Sequence, residues 1–138
     1  MNFLAACDSS EASSLSKIES SSYSIKYEYD LVEDKFILYS NIFGVNKDEY
    51  YVYFFSRTCS HCQSIKSFII EKALEREDIY FVESSKEVVF INDVAKTIGL
   101  TSIDGFGILG YPSLVKIKEK TIQKNIAGTQ AIRNELLN

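Results

Sequence analysis

The chain has 138 residues, a length that fits one domain. Hydrophobic residues make up 46% and charged residues 25%, a globular composition in which no run approaches the roughly 18 apolar residues of a membrane-spanning helix. The net charge of -4 argues against a general nucleic-acid binder, and three cysteines are too few for a disulfide-scaffolded mini-protein. With His61 as the single histidine, a multi-histidine metal cage within one chain is excluded.

From Asp8 to Ser24, nine of seventeen residues are Ser and few are apolar. Such a stretch cannot bury enough surface to offset its ordering entropy, so residues 8–24 read as a flexible tether and residues 25–138 as the folded domain. Ahead of the tether stands Leu4-Ala5-Ala6-Cys7. This resembles the lipobox of bacterial lipoproteins, which implies lipidation of Cys7 and makes residues 1–7 the remnant of a lipoprotein-type signal. Only six residues precede Cys7, fewer than a charged region plus an apolar region occupy, so the alternatives are a longer precursor or a chance match. A lipidated Cys7 predicts an extracytoplasmic, membrane-anchored protein, and an unmodified one a cytoplasmic protein.

Along the domain, Tyr23, Ile25 and Tyr27 alternate with polar residues and predict a short strand. Val32, Phe36, Tyr39 and Phe43 recur at helical spacing, with Gly44 as the stop. Tyr50 to Phe55 reads as a strand buried on both faces. An amphipathic helix is predicted from about Cys59 to Arg76, a buried strand over Ile79 to Val82, and a helix over Asn92 to Ile98 ending at Gly99. Leu114 to Lys118 and Thr121 to Ala127 form two strands around a Glu119-Lys120 turn. Thr129 is placed to cap a final helix from Gln130 to Leu137. The order β-α-β-α-β-α-β-β-α predicts an α/β fold with a mixed central sheet and helices on both faces.

Cys59-Ser60-His61-Cys62 falls where the strand Tyr50–Phe55 hands over to a helix. Helix N-terminal amides and the positive end of the macrodipole stabilise a thiolate there. Two intervening residues put the second thiol one helical turn away, within disulfide reach. Cys59 is then the attacking sulfur and Cys62 the one that resolves the mixed disulfide. The competing readings are a zinc half-site and two structural cysteines. Zinc asks for four ligands, and the chain offers Cys59, Cys62, His61 and the distant Cys7.

With the CxxC after an aromatic strand, Gly110-Tyr111-Pro112-Ser113 before the strand Leu114–Lys118, and Gly128 after the last strand, the chain resembles the thioredoxin superfamily over roughly Tyr29 to Leu137. The resemblance implies the thioredoxin fold and thiol–disulfide oxidoreductase activity. It implies that Pro112, the only proline, is the family's cis-proline facing the active-site disulfide, and that the backbone of Tyr111 pairs with an extended substrate segment. Two departures stand out. Ser60-His61 replaces thioredoxin's Gly-Pro and is similar to protein disulfide isomerase and the periplasmic disulfide oxidases. An imidazolium at His61 favours the ionised dithiol, which makes the disulfide more oxidising. Tyr53 stands where the family has a buried Asp that helps move the proton of the resolving cysteine.

Gly105-Phe106-Gly107-Ile108-Leu109-Gly110 matches the dinucleotide-binding G-x-G-x-x-G letter for letter, but a strand follows where that fingerprint needs a helix. These glycines are expected to shape the loop leading to Pro112, and no cofactor is expected. Lys116, Lys118, Lys120 and Lys124 around the hairpin read as a solvated edge. The expectation is a monomeric thiol–disulfide oxidoreductase with protein thiol or disulfide substrates and a redox partner protein. The alternatives are a peptide-binding module using Tyr111 and Pro112, and a Cu(I) carrier using Cys59 and Cys62 as soft ligands.

Overall fold

The aromatic run Tyr50–Phe55 lies in the central strand of a four-stranded sheet in the computed structural model, which describes residues 26–138. The lipobox, Cys7, the Ser-rich tether and residues Tyr23–Ile25 lie outside the described residues. The strands are β1 (Glu49–Phe55), β2 (Ile79–Glu83), β3 (Ser113–Lys118) and β4 (Thr121–Ala127), in the order β2-β1-β3-β4. β1 runs parallel to β2 and antiparallel to β3, and β3 pairs antiparallel with β4. Six of the seven β1 residues are buried, as a strand covered on both faces requires.

One face carries α1 (Ser60–Glu75) and α2 (Thr129–Leu137). Cys62, Ile65, Ile69, Ile70 and Ala73 form the buried stripe of α1 and meet Tyr51, Tyr53, Phe55, Phe81 and Leu114 from the sheet. The other face is covered by short 3-10 helices and by the loop leading to Pro112. Tyr39, Ile42, Val88, Phe106 and Ile108 pack there on Tyr50, Val52, Phe54 and Val115. Among the described residues, no helix is long and apolar enough to cross a membrane.

Four local expectations are corrected. Lys26 to Glu28 carry no strand. The helix expected over Val32 to Phe43 is two 3-10 segments, Tyr29–Lys35 and Tyr39–Asn41, separated by an extended stretch. The sheet edge decides this. Phe36 makes a parallel bridge to Phe81, and Ile37 donates its amide to the Phe81 carbonyl at 2.8 Å. The Phe36 ring stacks on Phe81 at 5.7 Å and meets Tyr29 and Phe55 edge-on. A continuous helix would give up this edge pairing. The helix expected over Asn92 to Ile98 is a single 3-10 turn, Val94–Thr97. At α2 the cap is Gly128, whose φ of 98° suits glycine, and Thr129 is the first helical residue.

The Glu119-Lys120 turn is where expected, with φ of 53° and 63° at two non-glycine residues. Long-range hydrogen bonds hold it: Lys120 Nζ donates to the Val45 and Phe43 carbonyls, and Glu119 N donates to the Asp48 carbonyl. Of the other hairpin lysines, Lys116 pairs with Glu49 and Lys124 with Glu135.

Candidate active site

Topology brings the two ends of the site together. β1 runs out toward Cys59, and β3, antiparallel to it, begins at Ser113 opposite Phe54. The Tyr111-Pro112 peptide, which is cis, therefore lies beside the start of α1. Cys59 is the N-cap of α1: its backbone is extended, and its Sγ accepts a hydrogen bond from the Cys62 amide at 3.4 Å. The same sulfur lies 3.7 Å from the Tyr111 carbonyl oxygen, to which its thiol donates. Both cysteines are free thiols, Cys59 half-buried and Cys62 only 1% exposed.

The two sulfurs thus differ in kind. Cys59 sits at a helix start, reachable from solvent, with a backbone donor on one side and a carbonyl on the other. Cys62 lies beneath it in the aromatic core. Burial pushes the Cys62 thiol up to about 12, and the adjacent Cys59 sulfur adds to this. Burial likewise raises the Tyr111 phenol, with the Cys62 sulfur contributing.

His61 is exposed on the first turn of α1. It lines an open groove of about 620 Å³ with Tyr111, Pro112, Gly128, Thr129 and Asn134. A larger hollow of about 710 Å³, lined by Phe36–Leu38 and Val82–Glu87 among others, contains neither cysteine, and chemistry rather than size assigns the site. Arg57 pairs with Glu83 at 2.6 Å and lies 5.0 Å over the Tyr29 ring, so its charge already has a carboxylate partner. Among the described residues, no three His, Cys, Asp or Glu side chains gather in a group that could hold a metal ion.

The loop that presents Tyr111 is held by residues outside the sequence motifs. Asn125 on β4 is 7% exposed and donates to the Gly107 carbonyl at 2.9 Å and to Thr97 Oγ1 at 3.0 Å. A Cβ on Gly107 would meet Ile91 Cγ2 at 2.8 Å and the Val89 carbonyl at 3.0 Å. The middle glycine of the false dinucleotide fingerprint therefore serves close packing against the Val89–Ile91 segment. Phe90 meets the Tyr111 ring edge-on at 5.3 Å. The one sequence signal for this support is a polar Asn between the apolar residues Ile122 and Ile126 of the last strand.

No protein-family model matches the chain, and no curated protein sequence is significantly similar to it. Solved structures are similar in fold. The short form of thioredoxin f from spinach chloroplast is 14% identical, with 75% of this chain and 89% of that one covered at a TM-score of 0.50. A chain in the complex of ferredoxin:thioredoxin reductase with thioredoxin f2 is 11% identical, with 75% and 91% covered, also at 0.50. With its mixed four-stranded sheet, its cysteine pair at the start of α1 and its cis Tyr111-Pro112 bond, this chain has the thioredoxin fold.

Proposed function

We propose that the chain is a thiol–disulfide oxidoreductase acting on protein cysteines through Cys59 and Cys62. The observation that carries this reading is the Cys59 sulfur held at the α1 N-cap between the Cys62 amide and the Tyr111 carbonyl, with Cys62 buried beneath it. In the reducing direction, the Cys59 thiolate attacks one sulfur of a substrate disulfide. The substrate S–S bond breaks, a Cys59–substrate disulfide forms, and the other substrate sulfur leaves and takes up a proton. Cys62 then loses its proton and attacks Cys59 Sγ, and the second substrate sulfur leaves as a thiol. Two electrons and two protons pass from the dithiol to the substrate. The reverse sequence oxidises a substrate dithiol, and the redox partner protein sets the direction. The Tyr111 backbone beside Cys59 is placed to pair with an extended substrate segment during the mixed-disulfide stage.

The test is trapping. The Cys62→Ser variant, offered a disulfide substrate, accumulates a Cys59-linked mixed disulfide, and the Cys59→Ser variant does not. Equal trapping by both variants overturns the assignment of roles, and trapping by neither overturns the redox reading.

The Leu4-Ala5-Ala6-Cys7 box before a Ser-rich spacer supports an extracytoplasmic protein anchored through a lipidated Cys7. Stable anchoring takes more than one acyl chain. Mass spectrometry of the mature N-terminus, after expression of the full precursor in its host, would show the modified cysteine. An unmodified Cys7 in a soluble fraction would defeat this placement.

A further inference from the structure

We propose that Phe90 is a specificity-determining residue. Its exposed ring, standing beside Tyr111, selects extended polypeptide segments that carry a large apolar side chain a few residues from the reacting cysteine. The inference rests on the redox-pair reading and names the substrate class that the same site takes.

The connection from β2 to β3 pairs with itself near the site. Ile108 donates its amide to the Val89 carbonyl at 2.9 Å, and Ile91 donates to the Ile108 carbonyl at 2.9 Å, so Phe90 and Ile108 form a parallel bridge. Bridged residues point their side chains to one face of a ladder. On that face Ile108 and Phe106 are buried against the sheet. Phe90 shares the face, yet its ring lies beyond that core: it is 55% exposed and meets the Tyr111 ring edge-on at 5.3 Å. The aromatic contact fixes the ring on one side and leaves the other to solvent.

Single exposed apolar residues are common, and position sets this one apart. The residue it leans on, Tyr111, has its carbonyl oxygen 3.7 Å from Cys59 Sγ. An extended chain advances about 3.3 Å per residue, so a segment whose cysteine reaches Cys59 passes Phe90 within a few residues. Covering the open side of the ring with an apolar side chain takes apolar surface of both partners out of water.

Three observations define the occupant. Val88 to Asn92 and Gly105 to Pro112 contain no charged residue, so these stretches hold nothing to pair with a charged side chain. The Phe90 N–H and C=O face away from the Ile108 bridge and make no hydrogen bond among the described residues. They leave a donor and an acceptor at strand spacing for a passing backbone. The groove on the α2 side offers no large apolar side chain of its own, since α2 and its approach line it with Ala127, Gly128, Thr129, Gln130, Ala131 and Asn134. An apolar side chain of the substrate therefore finds its wall at Phe90.

The reaction that reads this preference uses a peptide cysteine joined by a disulfide to a chromogenic aromatic thiol. The Cys59 thiolate attacks the peptide sulfur, the probe S–S bond breaks, the coloured aromatic thiolate leaves, and a Cys59–peptide disulfide forms. Cys62 loses its proton to solvent and attacks Cys59 Sγ, and the peptide leaves as a thiol. The dithiol is oxidised by two electrons and the probe is reduced to two thiols.

The experiment uses the full chain carrying Cys7→Ser and two such probes of equal length and charge, one with leucines around its cysteine and one with serines. Each rate is divided by that of the same probe with a small thiol in solution, which removes intrinsic differences between the disulfides. The parent should release colour about tenfold faster from the leucine probe, as a good apolar contact allows. Phe90→Ser should reduce the ratio to about twofold or less, and Phe90→Leu should keep most of it. Leu38→Ser, which removes an exposed apolar side chain from the larger hollow, should leave the ratio unchanged. A ratio that survives Phe90→Ser overturns the inference. An equal loss in Leu38→Ser also does so, because general surface stickiness then explains the preference. A Phe90→Leu variant as indiscriminate as Phe90→Ser overturns it too, because an apolar contact is then not what discriminates. A parent that releases no colour from either probe overturns the redox-pair reading and this inference with it, whereas a parent that reacts equally with both overturns this inference alone.

Discussion

On one face of the sheet, α1 and α2 press an aromatic core against β1 and β2, and Cys62 is part of that core. On the other face, 3-10 turns and the long connection from Ser84 to Pro112 do the covering, held partly by a buried asparagine. The site lies on the seam: the helical face supplies the two sulfurs, and the loop face supplies the Tyr111 carbonyl against Cys59. The first face is rigid because regular elements interlock around large rings. The second is positioned by a few specific hydrogen bonds and close approaches. The proposed redox chemistry would draw on both, since a sulfur nucleophile needs a fixed helix start and a substrate segment a shaped loop.

The largest expected effect tests whether the helical face is the stiffer one. Phe81 is fully buried among Tyr29, Phe36, Tyr53 and Phe55 and is fixed by strand pairing on β2. Phe81→Ala should cost about 3–5 kcal/mol, because the strands cannot close the hole. Phe106, 2% exposed in the loop and packed on Tyr39 and Phe54, should cost less when truncated, because a loop can collapse. Urea unfolding of the two variants decides it, and equal costs would erase the distinction between the faces.

Next comes the hydrogen bonding of the loop face. Asn125→Ala strips the Gly107 carbonyl and the Thr97 hydroxyl of their shared donor and should cost about 1–3 kcal/mol. It should also slow thiol exchange, because the same loop carries Tyr111, while leaving alkylation of Cys59 by a small reagent unchanged. If exchange with protein substrates is untouched, the loop needs no such anchor.

The helical face was the legible one. Buried residues of α1 recur at helical spacing, and the run Tyr50–Phe55 announced a doubly buried strand, so the strand–helix turn bearing Cys59 could be placed from the letters. The loop face hid its logic in irregularity. A bulge around Gln123 shifts the register, so that Ile122 faces Ile117 and Lys124 faces Lys116. Simple alternation puts Ile122 and Asn125 on opposite faces, and the bulge turns both inward. The stretch around Phe36 misled for a related reason: its apolar residues have helical spacing, but the open edge of β2 offers Phe36 a bridge, and tertiary pairing overrides the periodicity.

Alkaline pH should separate the two redox forms of the helical face. Burial raises Cys62 from the ordinary 9.0 to about 12, so the folded dithiol keeps a proton that the unfolded chain has lost. Stability from this group is complete below the unfolded value and declines as pH rises through the folded one. Tyr29, Tyr51 and Tyr53 are also raised by burial and act with the same sign in both redox forms. Forming the Cys59–Cys62 disulfide removes the thiol contribution alone. Above pH 9.0 the melting temperature of the dithiol should therefore fall more steeply than that of the disulfide. Parallel declines would mean that Cys62 titrates as an ordinary thiol.

The smallest expected effect lies on the seam itself, at His61. Only the dithiol state carries a thiolate on Cys59, so a nearby positive charge stabilises the reduced side and makes the disulfide the stronger oxidant. His61 is two residues beyond Cys59, on the first turn of α1, and lines the groove beside Tyr111 and Pro112. Because the ring is exposed, water and salt screen its charge, and the contribution should be about 30 mV or less. The helix terminus acts in the same direction but is shared with thioredoxin, so the charge at His61 should set this couple up to about 30 mV above the roughly −270 mV of thioredoxin. Replacing Ser60 with Gly and His61 with Pro together should lower the potential, and His61→Ala alone should reproduce most of that drop. Equilibration in glutathione buffers followed by thiol alkylation measures both. A His61→Ala potential equal to that of the parent would leave the helix start as the sole electrostatic support of the Cys59 thiolate. A parent value at or below that of thioredoxin would turn the assignment toward a reductase whose electrons come from a donor outside this chain.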